Sequence, residues 1–469
     1  MYMYRMRPLE YILGDFRELE KQQIYFAPYD EQNDPLEGVA DTFWQGDLIV
    51  WKNFLCHYLL CLENKFTIAT LSSNADEYAN DKEIPIQITT GSLPERYQEI
   101  FKEIKNLFFL KNGVIALLDY LSSAKYPVRR NELSYHLKSI NNLALHSIVS
   151  VHIKAGLYRD TNLLDFLHKD EDSIIKAVNE LKQATDKEKI NELFRYFNLA
   201  KEQLILLMHH KARTEPMDRK LFYLLLDFPK LYMSQIDELA YSKWYMACFM
   251  KSCTNASVWG DYGRGHTGIC LKFKTYNRLG NICLPIERPV GFDSDGRIVK
   301  FADMYFDKVE YGNERVQVDF FRSILTLPTP VLYKEWYIDE NGNKSICADV
   351  LDRIDIDMQE RQKYWDRLKG IATSKTFDWK DEQEYRLILN SPMMDFTSKE
   401  SRMLRYNFND LEGVVFGMRT PIESKAEILD ILDKKCVENN RYDLKLYQAD
   451  YDYLKQEMVI DELKMIKFG

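Results

Sequence analysis

The 469-residue chain lacks the signatures that most often identify an enzyme from sequence. It has no H-E-x-x-H, no Walker A glycine–lysine loop, no G-x-S-x-G and no protein-kinase set, so those zinc-protease, P-loop, hydrolase and kinase readings fall away. Cysteine is sparse: the 8 residues Cys56, Cys61, Cys248, Cys253, Cys270, Cys283, Cys347 and Cys436 include no C-x-x-C, and no histidine stands at zinc-ligand spacing from them. No run of about 18 apolar residues occurs, and MYMYRMRPLE lacks the apolar segment of a signal peptide. The expectation is a reduced, cytoplasmic protein without membrane contact. Positive charge is in deficit, with a net charge of −9, so the chain has no general attraction for phosphate backbones or anionic lipid. Nucleic-acid contact would need a local patch such as Lys125, Arg129, Arg130 and Lys138.

What is present is the material of a folded protein. Hydrophobic residues make up 46% and charged residues 29%, and the length exceeds what one core usually holds, so two or three units are expected. The 30 tyrosines bring hydroxyls that need partners inside that core. Alternation over Tyr2–Arg7 predicts a strand, Pro8–Lys21 a helix, and QIYFAP a second strand ending at Pro28. Asn33, Asp34, Pro35 and Gly38 form a turn, and Phe43–Leu62 and Pro94–Leu121 read as helices. From about Asn131 to Leu239 the pattern is helical with no fixed-period repeat. After Trp244 come short strands (WYMACFM, GICLKF, DKVEYG, EYRLIL, GVVFG, YDLKLYQ), with helices over Arg353–Lys369 and Pro421–Lys435. The expected division is an N-terminal part of an α+β core over 1–95, a helical insertion over 96–240, and a sheet-rich C-terminal part over 241–469.

Four segments carry candidate chemistry. On a strand, WKDEQEYRLIL places Glu382, Glu384 and Arg386 on one face and Tyr385, Leu387 and Leu389 on the other. Carboxylates beside a guanidinium stay ionised and can stabilise an oxocarbenium-like transition state. The competing reading is a solvated strand face. VWGDYGRGHTGICLKF contains Gly263, Gly265 and Gly268 in a G-x-G-x-x-G pattern, but it runs into a strand where a dinucleotide fingerprint opens a helix. It reads instead as a glycine loop, with Trp259, Tyr262 and His266 around it; the alternative is a tight turn over a core tryptophan. NDPLEG reads as an Asx turn from Asn33 that caps the next helix. Arg130, Asn131 and His136 match the R-N-x4-H spacing of helical nucleases that cleave RNA, a pattern that also recurs by chance.

Taken together, Tyr2, Tyr4 and Arg5; Asn33, Asp34, Pro35 and Glu37; Cys248 and Phe249; Trp259, Tyr262, His266, Gly268 and Cys270; Trp379, Glu382, Glu384 and Arg386; and Phe416 with Gly417 resemble the ordered motifs of a bacterial family known as domain of unknown function number 2971. The likeness spans about residues 1–45 and 240–450, and departs from the family at Gly260-Asp261, where a Ser-His or similar pair is common. An arginine on the first strand, a central aromatic segment and a late Glu-x-Glu strand are in turn similar to the layout of ADP-ribosyltransferases. That resemblance implies an α+β fold with a mixed or antiparallel sheet, interrupted here by a large all-helical insertion. It also implies NAD as substrate. Glu384 and Glu382 would then be catalytic, with Arg5, Tyr4, Trp259, Tyr262, His266, Arg386 and Asn33 binding the dinucleotide. The expected activity is transfer from, or consumption of, NAD in a toxin or anti-phage role, with a protein or nucleic acid as acceptor. The helical insertion would engage a partner protein or a second copy. Two other readings stand beside it: a non-enzymatic module binding a nucleotide or peptide, and RNA cleavage by the helical segment.

Overall fold

The computed structural model describes residues 1–72, 83–159, 162–167, 171–183, 186–211, 213, 219–241, 243–294, 296–324, 326–351, 358–390 and 394–468. It is mixed helix and sheet, 51% helical and 23% strand, which is the expected α+β class at that level. The chain divides into two compact units: Met1–Ala40 with Lys243–Val316 and Trp365–Gly469, and Asp41–Ser242 with Gln317–Tyr364. The first boundary thus falls after Ala40 rather than at 95, and 317–364 leaves the expected C-terminal part. The cause is local. Phe43 lies in a strand, Asp41–Trp44, that pairs with Gln317–Asp319 and Val128–Arg129 inside the helical unit.

The first unit is built on one sheet. Its main strands are β1 (Tyr2–Arg7), β2 (Gln23–Tyr25), β3 (Tyr245–Met250), β4 (Ile269–Lys274), β5 (Asn281–Asp293), β6 (Gly296–Lys308), β7 (Glu384–Leu389), β8 (Met403–Tyr406), β9 (Leu411–Phe416), β10 (Lys445–Asp452) and β11 (Glu457–Glu462). They lie side by side in the order β11-β10-β9-β4-β1-β3-β7-β6-β5-β8-β2. The pairs are antiparallel except β9 with β10. Each strand has period-two side chains, so the sheet has two distinct faces. One carries Met3, Phe249, Leu271, Phe273, Leu387 and Val414, covered in part by the helix Ile422–Glu438 through Ile428 and Leu432. The other carries Met6, Met250, Cys270, Val415 and Tyr447 against Trp259. The expected helix over Pro8–Lys21 is two turns, Leu9–Ile12 and Glu18–Lys21, because Arg17 adopts the left-handed conformation between them. Of the expected helix Arg353–Lys369, residues 353–357 lie outside the described residues, and Met358–Ala372 is helical.

The second unit is mostly helical, with long helices over Leu48–Leu71, Glu95–Phe109, Asn112–Ser123, Arg130–Lys154 and Lys187–Lys211. Asp47 caps the first, its carboxylate accepting the N–H groups of Ile49 and Val50 at 3.1 and 3.2 Å. Among the described residues two widened π-turns occur, Tyr223–Asp227 and Tyr333–Tyr337. Among the described residues no helix is long and apolar enough to cross a membrane.

Candidate functional site

Three of the sequence motifs meet in the first unit. The 3₁₀ turn Phe377–Glu382 passes through Gln383, which is left-handed, into β7. Glu382 therefore sits in the turn and not on the strand, a correction to the expected ladder. Glu384 and Arg386 share a strand face as expected, opposite Met250 and Cys248 of β3. Arg386 grips Glu384 with two bonds, Nε to Oε1 at 2.9 Å and Nη2 to Oε2 at 3.1 Å, and gives Nη1 to the Ala372 carbonyl at 2.6 Å.

The Asn33–Gly38 turn supplies the next member. Asp34 accepts the Leu36 N–H at 2.9 Å, and Gly38, at a φ of 68°, turns the chain away. This corrects the expectation for Asn33: Asp34 makes the Asx turn, Asn33 is exposed, and the next element is a strand, Asp41–Trp44, rather than a capped helix. What the turn delivers is Glu37, ion-paired to Arg386. The centre of the group is Lys375, on a two-residue strand beside Glu310–Tyr311. Its ammonium donates to Glu382 at 2.7 Å, to Glu384 at 3.2 Å and to the Tyr262 hydroxyl at 3.2 Å, with Glu37 at 3.6 Å. The Trp379 ring lies 4.8 Å from it. Nothing in the stretch SKTF marks Lys375 in the sequence.

None of the five charged side chains is more than 6% exposed, so this is neither a solvated strand face nor an open cleft. Three carboxylates face two cations, which leaves one negative charge in surplus. Burial pushes all three carboxylates upward, and their partners decide the outcome. Arg386 and then Lys375 outweigh burial at Glu384 and hold it at about 2. At Glu37 burial prevails over Arg386, aided by the charge of Glu384, and its pKa rises to about 7. Glu382 is raised for the same reason, burial against the opposing Lys375. Burial alone would lower Lys375, but the three carboxylates raise it.

Arg5 is not part of this group. Pairing of Tyr4 with Met250, and of Met250 with Glu384, puts Tyr4 on the face of Glu384. Arg5, the next residue, is on the opposite face, where it donates to the Tyr25 carbonyl at 2.8 Å and lies 5.5 Å from the Phe249 ring. A guanidinium there cannot hold the pyrophosphate of a molecule bound at Glu384, because the sheet lies between them. Trp259 is a fully buried core residue that donates to the Cys253 carbonyl at 2.7 Å. His266 stacks on it at 6.2 Å, with its pKa lowered by burial and then by Arg419. Gly268 and Gly417 admit neighbouring backbone: a Cβ on the first would collide with the Arg7 carbonyl, and on the second with that of His266. Of the glycine-loop aromatics, Tyr262 reaches the cluster.

In the second unit, Arg130 is ion-paired to Asp237. His136 is buried, with its ring 5.7 Å from Tyr120 and 5.5 Å from Phe194.

Comparison with protein-family models, with curated proteins and with solved structures finds no match to this chain.

Proposed function

We propose that the Glu37–Lys375–Glu382–Glu384–Arg386 cluster is the reactive centre of an enzyme that breaks the nicotinamide–ribose bond of NAD, by transfer or hydrolysis. One observation carries this reading. Neighbouring carboxylates on a single ammonium have been driven apart in pKa, Glu384 lowered to about 2 by Arg386 and Lys375 against burial, and Glu382 raised by burial against Lys375. Groups separated in that way supply a fixed negative charge and a proton carrier in the same place. In the reaction the C1′–N bond breaks, its electron pair returns to the nicotinamide ring, and positive charge builds on the ribose. The ionised Glu384 opposes that charge through the cluster. A water or acceptor hydroxyl adds to C1′ and gives its proton to Glu382, which lies beside Tyr262 in the cluster. Tyr262 and Trp379, both half-buried around Lys375, would meet the substrate first. The pyrophosphate must be held by a group other than Arg5. Membership of the family of unknown function, a cytoplasmic setting and an insertion that binds a partner belong to the same proposal.

The test is nicotinamide release from NAD by the purified full chain, followed by chromatography. Glu382→Gln should reduce it at least a hundredfold while the far-ultraviolet circular dichroism is retained. A parent protein that releases no nicotinamide, or a variant that releases it at the parent rate, sinks the reading. The near-complete burial of all five charges favours a second reading, in which the cluster ties the Asn33–Gly38 turn to β7 in a non-enzymatic module. That reading predicts loss of stability in the variants and no turnover in the parent. The positions of Arg130 and His136 give RNA cleavage no support.

A further inference from the structure

The second unit contains a cavity of about 640 Å³, within the range of small-molecule sites. Its wall combines Leu48, Ile49 and Leu60 from the helix Leu48–Leu71 with Phe109 and Trp336. The π-turn Tyr333–Tyr337 forms one side. Such turns are uncommon and concentrate at functional sites, because they give up regular ladder bonds to re-aim side chains. Here Asn53 takes over two carbonyls in and just after that turn, donating to Trp336 at 2.9 Å and Ile338 at 3.2 Å.

The charged groups on the wall are unequally occupied. Lys105 is paired with Glu340 at 3.3 Å. Glu335 accepts the Thr90 hydroxyl at 2.6 Å, and Asp339 accepts the N–H groups of Asn341 and Asn343 at 2.9 and 2.8 Å. Lys52 differs: among the described residues its ammonium has no carboxylate at ion-pair distance and rests 5.4 Å from the Phe109 ring. Lys334 lines the same wall and is likewise without a carboxylate at ion-pair distance among the described residues, but it is exposed, whereas Lys52 is half-buried, acts on Asp339 and Glu340 only at longer range and lies beside the Phe109 ring. An apolar wall beside that ammonium matches a ligand with a flat apolar body and a negative charge. Lys52, Lys105 and Lys334 are balanced on this wall by Glu335, Asp339 and Glu340, which leaves no surplus of positive charge to hold a polyphosphate.

We infer that this cavity is a binding site for a small amphiphilic monoanion such as an aromatic carboxylate, with Lys52 holding the charged end and Phe109 and Trp336 the ring. The inference does not rest on the reading of the carboxylate cluster. It is tested by calorimetric titration of the full chain with indole-3-acetate, its neutral amide and ATP as probes. The carboxylate should bind, with the amide and ATP at least tenfold weaker. Lys52→Gln should weaken the carboxylate about tenfold or more, the usual worth of a charge-assisted bond. Ile49→Trp, which fills the cavity from a half-buried position, should abolish binding with the circular dichroism unchanged. Absence of indole-3-acetate binding at millimolar concentration overturns the inference. So does equal affinity for acid and amide, tighter binding of ATP, or an unchanged affinity in Lys52→Gln.

Discussion

Replacing Glu37 by glutamine removes the surplus charge of the cluster without removing its shape. Arg386 can still donate to the amide oxygen, and Lys375 keeps Glu382 and Glu384. The sign of the effect follows from linkage. The folded-state pKa of Glu37 lies above its ordinary 4.5, at about 7, so the native state holds that proton more tightly than the unfolded chain. Its contribution to stability is therefore full below about pH 4.5 and declines as pH rises through about 7. At about 1.4 kcal/mol for each tenfold change in proton affinity, the displacement makes about 3 kcal/mol of stability lost by the parent at pH 8. Glu37→Gln does not ionise and escapes that loss. Urea unfolding at pH steps from 4.5 to 8 should show parent and variant nearly equal at the acid end, with the variant more stable by about 3 kcal/mol at pH 8. A variant less stable than the parent at pH 8, or a difference that does not change with pH, refutes the argument. Either result would mean that Glu37 is ionised and acts as a needed partner of Arg386.

Arg386→Met leaves Glu37 and Glu384 buried without their guanidinium and should cost about 3–5 kcal/mol in urea unfolding at pH 7, with part of the loss recovered in the double variant Glu384→Gln/Arg386→Met. Gly417→Ala forces a methyl group against the carbonyls of His266 and Gly268, the latter at 2.9 Å, and should cost about 1–3 kcal/mol, read as a lowered melting temperature.

Several elements could be read from the chain alone because their causes are local. Alternation over Tyr2–Arg7 and over Glu384–Leu389 fixes two strands, and the period of two puts Glu384 with Arg386 and separates Tyr4 from Arg5. The turn at Asp34-Pro35 and the tight passage through Gly268 are likewise set by short-range sterics and hydrogen bonding. Which of Tyr4 and Arg5 faces Glu384 was not legible. That depends on β3 lying between β1 and β7, and on the Tyr4–Met250–Glu384 register, and pairing partners so distant in sequence leave no periodic mark. Nor could the sequence show that the charges of Glu37, Glu384 and Arg386 are buried, because burial belongs to the assembled layers and not to any segment. Lys375 entered the cluster unannounced for the same reason. Short-range forces gave the motifs their local shape, while long-range pairing and the exclusion of water chose which of them became neighbours and what their ionisation would be.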